Sequence, residues 1–247
     1  MEIKTERVRI NVEGKTMGGY LARPADSTAR PAVVVFMEIF GVNSHIREVT
    51  ERVARAGYVA LAPDFFHRTG PGIEYGYDEK GMTEGIKLLG MLKADEMIAD
   101  AQAALSFLKR QAGVEGAKIG AMGFCIGGHM TYLTACETDV KATASFYGGG
   151  IAADKGLGGG GPSTLSRTHK IRGRILCLFG AKDAHIPLSQ VDAIRAELEK
   201  HNIRHEVVVY PQADHGFFCD QRGSYEKAAA EDAWAKAKKL FAEELGK

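Results

Sequence analysis

The segments AVVVF at 32–36 and ILCLF at 175–179 are apolar at every position, odd and even alike. A run of that length and character is satisfied as a strand covered on both faces, because each side chain must leave water whichever way it points. EVVVY at 206–210 and the segments 58–62, 118–124 and 142–147 are read as strands of the same sheet. Helical periodicity fills the intervals: 43–56 with Gly57 as its stop, 95–111, the stretch from 125 to about 136, 188–200 and 224–245. In 95–111, Met97, Ile98, Ala101, Leu105 and Leu108 share one face. Two short strands, 7–12 and 17–22, meet at a turn on Gly14. Buried strands alternating with helices predict an α/β fold, a mostly parallel twisted sheet with helices on both faces. In such sheets ligands gather in the loops at the carboxyl ends of the strands.

The 247 residues are read as a single domain over 1–247 that needs no disulfide to hold its core. A net charge of +1 gives no case for nucleic acid or a membrane surface as partner. Glu2, Lys4, Glu6 and Arg7 interrupt the first segment, and no apolar run reaches membrane-spanning length, so the cytoplasm is the expected location. A monomer or a homodimer is expected. The four cysteines form no CxxC pair and no zinc spacing, which predicts reduced thiols. Cys177 is read as core, Cys136 as core or half-buried, and Cys219 as packing or as part of a site entrance. His45, His67, His169, His185 and His201 share no ligand spacing, so no metal is expected. His129 is read as buried and structural, and Trp234 as an anchor on the sheet. The segment 148–161 holds eight glycines and is expected to be a mobile surface loop. A phosphate cradle there would need GxxxxGK[ST], which is missing.

The most specific motif is Gly123-Phe124-Cys125-Ile126-Gly127-Gly128, between a strand and a helix. A nucleophile above a sheet needs a sharp, strained strand-to-helix turn, with glycines where the crossing is close. The following helix aims its N-terminus at the thiol, favouring thiolate and any oxyanion formed on a substrate. Asp183 lies in GAKDAHIP after the ILCLF strand, and His215 in ADHGFF after the EVVVY strand. Each alone also fits a turn, Asp183 as a helix cap and His215 as a solvated loop residue. Together they stand in the order nucleophile, acid, base, which predicts a Cys125–Asp183–His215 catalytic set.

At these residues the chain resembles the dienelactone hydrolase family. The resemblance extends over nearly all of it: MEIFG at 37–41, APDFF at 62–66, GFCIGG, FYG at 146–148, GAKDAHIP and HGFFCDQR. It implies a three-layer α/β-hydrolase fold, a Cys–His–Asp triad on Cys125, His215 and Asp183, and no cofactor. The backbone N–H groups of Ile39 and Ile126 would form the oxyanion hole, Glu38 would activate the thiol when substrate binds, and Tyr147 would line the pocket. In the family two arginines hold a substrate carboxylate. Here the residue four past His215 is Cys219, and no arginine occurs between Thr69 and Lys109. Arg222 and Arg68, or a lysine, are the substitutes at hand. The expected function is hydrolysis of a small ester or lactone through a thioester on Cys125. A general carboxylesterase or thioesterase, and a non-catalytic ligand-binding protein on the same fold, are the alternatives.

Overall fold

The structure, a computed structural model, describes residues 1–246. Its strands are β1 (Ile3–Val12), β2 (Lys15–Pro24), β3 (Arg30–Phe36), β4 (Val59–Pro63), β5 (Val114–Phe124), β6 (Ala142–Phe146), β7 (Arg174–Gly180) and β8 (His205–Tyr210). They form one sheet in the order β1-β2-β4-β3-β5-β6-β7-β8. β2 runs antiparallel to β1 and β4, and every pair from β4 to β8 is parallel. β4 and β6 are buried at every position, as is β3 beyond Arg30, so the doubly covered reading of these runs holds. β1 differs: Ile10 and Val12 point inward while Arg7, Arg9 and Asn11 are exposed, the alternation of an edge strand with one wet face. It begins four residues earlier than its alternation suggests, because the polar stretch 4–7 extends the ladder from Val12↔Lys15 out to Ile3↔Pro24.

The helices are α1 (Ser44–Arg55), α2 (Glu79–Leu89), α3 (Ala94–Lys109), α4 (Ile126–Glu137), α5 (Leu188–Lys200) and α6 (Lys227–Leu245). α1 and α6 meet on one side of the sheet, where the Arg52 guanidinium lies 4.8 Å over the Trp234 ring. α3 and α4 pack against each other and against β5. α1 starts on the Asn43 side chain, which accepts from the Ile46 N–H, and Gly57 closes it at φ +97°. Trp234 is only half-buried: it packs at the α1–α6 seam against Phe218 and Arg52 rather than flat on the sheet. Among the described residues no helix is long and apolar enough to cross a membrane.

α2 has no counterpart in the sequence reading. Gly81 and Gly85 weaken its periodicity, and a glycine inside a helix costs about 1 kcal/mol against alanine. Tertiary contact holds it instead. Asp78 caps it by accepting from the Gly81 N–H at 2.7 Å, and Gly85 lets its backbone lie against Ile39, where a Cβ would fall 2.6 Å from the Ile39 carbonyl.

The glycine-rich segment is anchored at its start, while Gly158 to Gly161 lie exposed at the surface. His129 on α4 is 1% exposed, donates from Nδ1 to the Gly149 carbonyl at 2.8 Å and accepts at Nε2 from the Thr164 hydroxyl at 2.7 Å. Ile151 is fully buried. Burial pushes the His129 imidazole down to about 4, so it is neutral and both nitrogens are used.

Candidate active site

β3 turns from β4 on one side to β5 on the other, and that reversal opens a crevice at the carboxyl ends of the strands. Five chain segments reach it: Glu38 and Ile39 after β3, Cys125 after β5, Tyr147 after β6, Asp183 after β7 and His215 after β8. Cys125 has φ +57° and ψ −119°, a conformation a side-chain-bearing residue holds only when its surroundings impose it. Its N–H donates to the Phe146 carbonyl at 3.1 Å and its carbonyl accepts from the His129 N–H at 3.2 Å, which pins both ends of the turn. Gly127 supplies the clearance: a Cβ there would fall 2.4 Å from the Phe36 carbonyl and 2.5 Å from that of Met37. The helix carrying the thiol is thus pressed onto the end of β3, beside Glu38 and Ile39.

His215 donates from Nδ1 to Asp183 Oδ2 at 2.7 Å, which leaves Nε2 free to face Cys125, whose charge acts on the ring. Burial alone would lower the His215 imidazole. The Cys125 thiolate and the Asp183 carboxylate outweigh it and push it up to about 10. Asp183 is 4% exposed; burial would raise its carboxyl, but His215 and the His185 N–H hold it below the usual carboxylate range. The arrangement sets a thiol beside an imidazole whose other nitrogen is fixed by a buried carboxylate. Two more rings brace His215. Tyr147 stands edge-on at 5.2 Å between centroids, and His185, which the sequence reading set aside, stands at 5.3 Å. The only signal for His185 was its place two residues after Asp183.

The N–H groups of Ile39 and Ile126 donate to no backbone carbonyl of a turn, loop or cap among the described residues. Ile126 opens α4, where a first-turn N–H has no intrahelical acceptor. Glu38 is fully buried, accepting from Arg222 Nη1 at 3.1 Å and from the Tyr77 hydroxyl at 3.0 Å. Burial and the Glu38 charge drive the Tyr77 phenol up, so it stays a donor. Arg222 also lies 5.7 Å from the centroids of both Phe40 and Tyr77.

Two expectations about substrate contacts need correction. Arg68 donates from Nη1 to both oxygens of Asp100, at 2.6 and 2.7 Å, and its side chain is 9% exposed. His67 shares the same carboxylate at 3.0 Å. The buried Asp100 on α3 takes Arg68 as its counter-charge, so Arg68 is a structural cation rather than a substrate clamp. Tyr147 is fully buried and offers no face to a pocket; it supports His215 from behind, with its hydroxyl unpartnered and its phenol raised by burial and the Glu38 charge. Cys219 is buried beside Tyr77, its thiol pushed up to about 12 by burial and Glu38. With His45 and Asp220 it forms a group whose ligand atoms lie within 4.8 Å of one another, joined from segments too far apart for sequence spacing to reveal.

The model of the Dienelactone hydrolase family matches residues 17–245. The chain belongs to that family. It is 44% identical over 245 residues to a protein of Synechocystis sp. named "Putative carboxymethylenebutenolidase", with 99% of both chains covered. Among solved structures, the "Putative Dienelactone Hydrolase" of Klebsiella pneumoniae superposes with a TM-score of 0.88 at 33% identity, covering 98% of this chain and 99% of that one. A dienelactone hydrolase-like promiscuous phosphotriesterase from metagenomic libraries follows at 0.84 and 26%, with 99% of both chains covered. As a dienelactone hydrolase family member with the α/β-hydrolase fold, the protein is a carboxylic ester hydrolase.

Proposed function

We propose that this family member cleaves small esters or lactones by acyl transfer through Cys125. The observation that carries the reading is the His215 imidazole, bonded to Asp183 on one side and to the strained Cys125 on the other. The Cys125 thiolate attacks the substrate carbonyl carbon, and the carbonyl π pair moves onto oxygen. The Ile39 and Ile126 N–H groups hold that oxyanion, one such donor contributing about 2.7–4 kcal/mol to the transition state. As the tetrahedral intermediate collapses, the C–O bond to the leaving group breaks and the His215 imidazolium gives it a proton. A thioester remains. Neutral His215 then takes a proton from water, whose oxygen attacks the thioester; collapse releases the acid and restores thiolate and imidazolium. Asp183 keeps Nδ1–H fixed throughout.

Glu38 enters as the activating carboxylate. Its present partners are Arg222 and the Tyr77 hydroxyl, while Cys125 acts on His215. In our reading this is the active arm, and the resting arm has Glu38 on a protonated thiol. Thiolate ultraviolet absorbance should rise when a substrate analogue binds; full ionisation without it removes the resting arm. For the reaction itself, a panel of lactones, open-chain esters and acyl thioesters should be turned over, with a transient acyl adduct on the Cys125 peptide by mass spectrometry. Wild-type turnover by Cys125→Ala would remove the thioester from the mechanism.

A further inference from the structure

We infer that the acyl group this site accepts is uncharged, which rests on the acyl-transfer reading above and narrows it. Each arginine that could clamp a substrate carboxylate already faces a buried carboxylate of this chain. Arg68 is spent on Asp100, a carboxylate with a 1% exposed side chain, through two bonds of 2.6 and 2.7 Å. Arg222 is balanced by Glu38, whose side chain is 0% exposed. A carboxylate entering beside Arg222 meets an ion pair whose charges cancel. Drawing Arg222 away would leave Glu38 buried and uncompensated, and sitting beside the intact pair would place one carboxylate against another with no counter-charge. Both are costly in a buried site.

The ground next to the oxyanion loop points the same way. Gly85 rests on Ile39, so the face of α2 that carries Gly85 borders the acyl site. Met82 and Leu89, three residues before and four after, share that face and are half-buried. Lys80 and Lys87 lie about 140° and 200° round the helix from Gly85, on the far side. Lys87 is also held by Glu84 at 2.7 Å. An alkyl chain finds methionine and leucine there; a carboxylate finds no cation.

The test is a matched pair of substrates on the full-length protein: p-nitrophenyl hexanoate and mono-p-nitrophenyl adipate, which differ in a terminal methyl against a carboxylate. The hexanoate should be preferred by about tenfold or more in kcat/KM, after correction for spontaneous hydrolysis. In Glu38→Gln the Arg222 charge is no longer balanced, and the gap should narrow by about fivefold or more. A ratio taken within one variant is independent of how much of it is folded. Equal or preferred use of the adipate by the wild type overturns the inference and leaves the esterase reading standing. An unchanged ratio in Glu38→Gln overturns the argument from the Glu38–Arg222 pair. If neither ester is hydrolysed above background, the acyl-transfer reading falls and this inference falls with it.

Discussion

Two histidines flank the nucleophile turn, and burial acts on both in the same direction. His129 sits four residues past Cys125 on α4, meets one carbonyl and one hydroxyl, and is pushed down to about 4. His215, on the loop after β8, meets Cys125 and a carboxylate, and their negative charge pushes it up to about 10. The difference lies in the partners. Neutral dipoles can satisfy an imidazole but not repay the desolvation of an imidazolium, whereas two anions can. One ring is therefore a neutral strut under the glycine-rich segment, and the other is the ring that the proposed reaction uses to protonate a leaving group.

The comparison breaks most decisively at Cys125. Cys125→Ala should lower kcat/KM by about 10⁴-fold or more, as removal of a nucleophile does in enzymes of this logic. It should also lower the His215 pKa, followed by NMR titration of the ring, because the thiolate is the largest influence raising it. A His215 ring that still titrates near 10 in that variant would place the anion elsewhere. Asp183→Asn should cost about 10⁴-fold in kcat while leaving the fold intact, since the amide presents the wrong partner to Nδ1–H. A loss under tenfold would show that His215 is oriented by something else.

Smaller effects sharpen the structural side. Arg68→Gln leaves Asp100 buried without its cation and should destabilise by about 3 kcal/mol in urea unfolding. The kcat/KM of the folded fraction should stay within about twofold, because Arg68 is not a substrate clamp; a selective loss on anionic esters would restore that role. His129→Asn should cost about 1–3 kcal/mol by stranding the Gly149 carbonyl and the Thr164 hydroxyl. Between pH 6.5 and about 4 the unfolded chain binds a proton at this histidine that the folded chain refuses, so wild-type stability rises with pH across that window. The asparagine variant should show a shallower slope there in pH-dependent melts. An unchanged slope would mean that His129 is not the residue setting it.

The doubly buried strands, the elbow around Cys125 and the order Cys125, Asp183, His215 were all legible in the sequence. Each is a local pattern: a run with no polar face, a glycine-flanked nucleophile, an acid or base just after a strand. α2 was not legible, because two glycines erase its periodicity and its stability comes from contact with Ile39. The role of Arg68 was not legible either. It is decided by Asp100, 32 residues away on α3.

Sequence alone thus determined which residue types could do chemistry and in what order they come, since local propensity and motif spacing depend on neighbours along the chain. The charge state of each depends on what packs against it from elsewhere. Only tertiary structure put Cys125 and a carboxylate on His215, a carbonyl and a hydroxyl on His129, and a buried carboxylate on Arg68 and on Arg222. Electrostatic energy is set by distance and burial, and neither is written in the order of the residues.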